Sequence, residues 1–226
     1  MDTGGFRRWF DTRKRIASSL VAADRDNALF DAEILLCCAM GAIAAIMWPG
    51  DRIDRRRYVE LLIRYARVIP KLTMISVPAL VDQLDHDPGY SHISASLREK
   101  FFPKESSRIV DAFEIDKEEP ELRAAEPALS AFQIRKASYA AIVYTDLRSG
   151  LVHEFAISGS LADWSMRLRD TVPHYMNWVT PPHKRLFLPY QYVFEIAEST
   201  AKTVGRFWDT CSTFAQPLPA KWWIEG

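Results

Sequence analysis

The run ILLCCAMGAIAAIMW, residues 34–48, constrains this chain more than any other stretch. As a helix it is apolar on every side, and a helix of that kind is buried. It is shorter than the roughly 20 residues needed to cross a bilayer. Asp31 and Glu33 stand just before it, and carboxylates are costly at membrane depth. The expectation is a central core helix that starts near Asn27 and is stopped by PGD at 49–51, with no membrane partner. The N-terminus, MDTGGFRRWFDTRKRIASSLV, is charged throughout and has no secretory apolar core. A cytoplasmic protein is expected.

The other elements follow from periodicity. Phe6, Trp9, Phe10, Ile16, Leu20 and Val21 recur at helical spacing and predict a helix from about Phe6 to Ala23. A third helix starts at Asp54, read as its N-cap, and covers RRRYVELLIRYARV up to Pro70. SVPALVDQL, 76–84, predicts a short helix capped by Ser76 with Pro78 in its first turn. Residues 103–127 are acidic and irregular and read as a solvated connection that holds at most one helical turn or two. Ser130 caps a long helix that carries AFQIRKASYAAIVYTDLRSGLVHEF, with a core stripe from Phe132 to Phe155. HYMNWV and KRLFLPY flank TPPH and predict a β-hairpin near 174–190. Residues 191–215 return to helical spacing, and the tail QPLPAKWWIEG lies on the surface with Trp222 or Trp223 packed. The fold class is mainly α: a helical bundle of about five or six helices with a minor β-hairpin. Residues 1–226 read as a single domain, with 171–226 as its C-terminal extension.

Composition narrows the function. Twenty-nine basic residues balance 29 acidic ones, which argues against a scaffold with a strongly basic field and leaves room for a local basic site. Cys37, Cys38 and Cys211 show no CxxC spacing and read as reduced thiols without a structural zinc. Asp85, His86, Asp87 and His92 have no matching second cluster. No metal and no cofactor is expected.

Arg148 and His153 then stand out, five positions apart on an otherwise apolar helix. On an ideal α-helix they lie about 140° apart and share no narrow stripe, but their long side chains can converge on one cleft if the helix lies at its edge. An unpartnered buried guanidinium is very costly. Arg148 therefore meets a carboxylate such as Asp146 or Glu154, or it faces an opening that takes an anion. In the first case His153 is an ordinary core or surface histidine.

The segment Arg148-Ser149-Gly150-Leu151-Val152-His153, late in a long helix of a helical domain, resembles the HEPN superfamily. That family's pattern is an arginine, four to six residues, then a histidine. Family members often carry Asn or Asp after the arginine; here it is Ser149. The resemblance covers residues 1–160 and extends to the last helix. It implies a homodimer that joins its motif helices and cleaves RNA without a metal. On that resemblance His153 is the general base or acid, Arg148 the phosphate clamp, and Ser149 a phosphate contact or a support for Arg148. Histidine can take or give a proton at neutral pH, and an arginine fork matches the phosphate in flight. A two-fold dimer supplies the second histidine. A toxin or defence effector is one implied role, with an antitoxin or other protein as partner. The alternative is a non-catalytic interaction or sensor module of the same fold. An unrelated α-helical domain that carries Arg148 and His153 by chance stays open as a third reading.

Asp31 and Glu33 are candidates for a carboxylate that orients Arg148 or His153; otherwise they complement the dipole of their own helix. Arg52, Arg55, Arg56 and Arg57 form a basic patch, with a second at Arg7, Arg8, Arg13, Lys14 and Arg15. Both are candidate RNA-backbone contacts or plain solvated helix faces.

Overall fold

The computed structural model describes residues 2–24, 28–102, 109–154, 156, 157, 159, 161, 162, 172–177 and 184–225. Asn27, Phe155, Trp178 and the TPPH turn fall outside that set.

Helix α1 (Thr3–Ala23) is capped by the Asp2 carboxylate, which accepts from Gly5 N. It buries Phe6, Phe10 and Ala17. Helix α2 (Leu29–Met47) is the central element, packed by α1, by α3 (Asp54–Tyr65) and by α10 (Tyr190–Trp208). It buries ten residues from Leu29 to Met47, so burial and not an amphipathic stripe holds it. Among the described residues it is the one helix long and apolar enough to cross a membrane, and half of it is buried inside this fold. Helix α10 buries Tyr192, Val193, Ile196, Ala197, Thr200, Ala201, Val204 and Trp208 at three- and four-residue spacing. Buried residues from Phe6 to Ile224 form one continuous core, so the described part of 172–225 shares it.

Ser76 caps α4 (Val77–Asp85) by accepting from Ala79 N at 3.1 Å, with Pro78 in the first turn as expected. In α3 the cap position falls on Ile53, and Asp54 instead pairs with Arg57. Helix α5 (Ser91–Phe101) has no counterpart in the sequence reading.

The stretch read as an irregular acidic connection is ordered where it is described. It holds strand β1 (Val110–Asp111), helix α6 (Ala112–Ile115) and helix α7 (Glu119–Ala125). A reciprocal capping box between Glu118 and Glu121 starts α7, so two of the acids are helix-starting groups.

The expected hairpin is present as β2 (His174–Asn177) and β3 (Lys184–Phe187), antiparallel, with Tyr175 opposite Leu186. β1 adds a third antiparallel strand beside β2. Pro189 limits β3 and becomes the N-cap position of α10. In the tail, Trp222 is buried and meets Trp48 edge-on at 5.9 Å, while Trp223 N donates to the buried Glu60 carboxylate.

The single long helix from Ser130 is in fact three pieces. Helix α8 (Ala131–Arg135) carries a Ser130–Gln133 capping box. The chain then breaks, because Ser138 caps a new helix, α9 (Tyr139–Ile142), by accepting from Ala141 N. At the break Tyr139 N and Ala140 N donate to the Met74 and Leu72 carbonyls, bonds that a continuous helix forbids. The third piece, Val143–Glu154, is a π-helix.

Candidate functional site: the Arg148–His153 pair

The π-helix changes the geometry expected from the sequence. Its i→i+5 ladder places residues five apart one above the other, where an α-helix would turn them away. Arg148 and His153 are five apart. They are not 140° apart but in contact, with Arg148 Nη1 3.4 Å from His153 Nε2. A guanidinium has no acceptor, so it donates, and the imidazole lone pair on Nε2 receives. The ring proton is then on Nδ1. The ladder ends with Ala156 N bonding back to the Gly150 carbonyl.

Arg148 is half-buried and lies over the Tyr144 ring at 5.4 Å. Its Nε is buried and has no hydrogen-bond partner. Among the described residues no carboxylate forms an ion pair with it. Asp146, the nearest acid in sequence, packs instead against Gly159, where a Cβ would sit 2.6 Å from its Oδ1. Gly159 also has φ +67, so both space and backbone require glycine there. Glu154 and His153 are exposed, and Ser149 is half-buried beside Arg148.

The floor beneath Arg148 comes from α2 and α3. Tyr58 stacks at a tilt against Tyr144, 5.4 Å between centroids. Its hydroxyl faces the buried Cys37 thiol. Burial pushes Cys37 up to about 12 and Tyr58 well above the usual phenol range, with the Arg148 charge opposing both. Cys37 is thus an inert thiol at neutral pH. A cavity of about 170 Å³ opens here, lined by Arg148, Arg57, Asp54, Tyr58, Tyr144 and small residues of α2.

The two orienting carboxylates are not part of this constellation. Asp31 is exposed in the first turn of α2, and neither it nor Glu33 bonds to Arg148 or His153. Glu33 is 5% exposed, and burial pushes its carboxyl up to about 8. It is protonated at neutral pH and acts on Cys37 and Tyr190, not on the arginine. This has a measurable consequence. A carboxyl whose folded value is raised keeps its proton while the unfolded chain releases its own, so its contribution to stability falls as pH rises from about 4.5 to about 8. Glu33→Gln removes that fall. The variant is expected to gain on the order of 4 kcal/mol on the wild type between pH 5 and pH 9, read by urea unfolding at both pH values. A constant difference across that window contradicts the buried, protonated carboxyl.

The basic patch also divides. Arg52, Arg55 and Arg56 are exposed; Arg52 has φ 58 in the turn before α3, and Arg56 pairs with Glu225. Only Arg57 lines the cavity with Arg148. In the N-terminal patch, Lys14 pairs with Glu198, Arg13 covers Trp9, and Arg7 pairs with Asp209. The feature that sequence reasoning missed is Arg57's separation from its three neighbours.

Comparisons of the chain with known protein families, with curated proteins and with solved structures find no match.

Proposed function

We propose that this chain is a metal-independent endoribonuclease of the HEPN type that works in the cytosol as a homodimer. The observation that carries the proposal is the contact between Arg148 and His153, with no carboxylate pairing the guanidinium among the described residues. A phosphate that enters takes the Arg148 donors. That releases the Nε2 lone pair of His153, which then accepts the ribose 2′-hydroxyl proton. The 2′-oxygen attacks phosphorus, the bond to the 5′-oxygen breaks, and the 5′-oxygen takes a proton from the protonated second histidine of the dimer. Arg148 stabilises the charge on the phosphate oxygens throughout. Ser149 supports that phosphate or the guanidinium. A toxin or defence effector, restrained by an antitoxin or other protein, is the role such an activity serves.

The test is wild-type protein with end-labelled single-stranded and structured RNA in EDTA. The expected products carry 2′,3′-cyclic phosphate and 5′-hydroxyl ends, and a 2′-O-methyl copy of the substrate stays intact. No cleavage of any RNA transfers the proposal to a non-catalytic interaction or sensor module. Cleavage of the 2′-O-methyl copy overturns the chemistry.

A further inference from the structure

We infer that the cavity beside Arg148 is a phosphate subsite in which Arg57 and Arg148 hold one anion together. Its natural occupant, on the nuclease reading above, is a backbone phosphate of the RNA; phosphate binding itself does not require cleavage.

Arg57 is fixed before any ligand arrives. Its Nη1 donates to the Gly50 carbonyl at 3.1 Å and the Trp48 carbonyl at 3.3 Å, and its Nη2 pairs with Asp54. Its side chain is 16% exposed. A guanidinium carries five donors. The second Nη2 hydrogen and the Nε hydrogen therefore remain for a ligand. Arg148 lines the same cavity, and its Nε is buried without a hydrogen-bond partner among the described residues. Two arginines against the Asp54 carboxylate leave a net positive lining, and an arginine fork suits phosphate better than a point charge does. Volume sets the size of the guest. About 170 Å³ is well below the roughly 300 Å³ of a small-molecule site, so the space takes a phosphate group and excludes a whole nucleotide. On the α2 side the wall is low: a Cβ at Gly41 would meet nothing within 4 Å. Arg57 is thus a phosphate-binding residue, and its partners Asp54, Trp48 and Gly50 set where it points.

The experiment reads arginine Nε–H resonances of the full chain during titration with inorganic phosphate at constant ionic strength, then with a 2′-O-methyl trinucleotide. The expected result is that Arg57 and Arg148 shift together with one dissociation constant, and that the trinucleotide binds more tightly than free phosphate. Arg57→Ala is expected to weaken trinucleotide binding about tenfold and to lower the salt slope by about 0.7, the value of one single-strand phosphate contact. Gly41→Leu fills the cavity without changing any charge and is expected to weaken binding to a similar degree; it stands in should Arg57→Ala lose its fold. Lys71→Ala, an exposed cation outside the cavity, is the charge control. A shift of Arg148 alone, or unchanged affinity in Gly41→Leu, overturns the subsite. Joint phosphate shifts without any gain from the trinucleotide support the subsite and count against RNA as its source, which separates this inference from the nuclease reading.

Discussion

Replacing His153 with alanine is expected to slow RNA cleavage by about 10²–10⁴-fold, the usual contribution of a positioned acid or base. The side chain is exposed at the end of the π-helix, and among the described residues its side-chain hydrogen bond is with Arg148. Stability should therefore stay within about 0.5 kcal/mol of wild type. Arg148→Ala is expected to lose about 10²–10³-fold, comparable to removing one donor from a transition-state oxyanion. Arg148→Lys keeps the charge but not the fork or the stacking on Tyr144, so it should recover only part of the rate. Because the two residues act on the same phosphate, the double variant should be little slower than the slower single variant. Multiplicative losses would mean two independent roles. Full cleavage by His153→Ala would place the activity elsewhere on the molecule or in a contaminant.

The parts of this fold that were legible in the sequence are those held by one strong local rule. α2 was visible because fifteen apolar residues in a row leave a helix no exposed face. The caps at Ser76 and Ser130 were visible because a serine two or three positions before a free N–H is a local bond. What was not legible depends on partners far along the chain. The break at Ser138 needs the carbonyls of Leu72 and Met74 to take the next two amides. β1 is two residues long and exists only because β2 arrives beside it sixty-odd positions later. The candidate site shows both cases. Arg148 and His153 were found by their types and spacing. Their contact was not, because an α-helical period puts them apart and no residue pattern announces a change to an i→i+5 ladder. Four arginines within six residues, Arg52 and Arg55 to Arg57, likewise read as one charge patch. Only the fold shows that Arg57 turns inward while the other three remain in water.

Asp116→Ala is expected to cost about 3–5 kcal/mol, the range for stripping one member from a buried charged network. Asp116 looked like one more acid in a solvated stretch, yet it is 4% exposed and sits where three distant segments meet. Its carboxylate accepts from the Tyr175 hydroxyl at 2.7 and 2.8 Å, from Val77 N at 3.1 Å and from the Tyr139 hydroxyl. Tyr175 also bonds Ser76, the cap of α4, at 2.7 Å. One side chain thus ties the sheet to the start of α4 and to the start of α9, which leads directly into the π-helix. Alanine leaves the Tyr139 phenol and the Val77 amide buried without that acceptor, each a desolvation cost of about 1–3 kcal/mol, and leaves the Tyr175 hydroxyl to Ser76 alone. Asparagine keeps the shape and one acceptor, so Asp116→Asn should cost less than half as much. Burial raises the carboxyl to about 7 against the bonds from both tyrosines and Val77. The folded state therefore holds a proton that the unfolded chain has released, and the contribution of Asp116 weakens as pH rises from about 4 to about 7. Urea unfolding of wild type and both variants, followed by tryptophan fluorescence at pH 5 and pH 8, reads the cost and its pH dependence together. The gap between wild type and Asp116→Asn should narrow at the higher pH. A loss below about 1 kcal/mol in Asp116→Ala would mean that packing alone holds the junction beneath the Arg148–His153 helix.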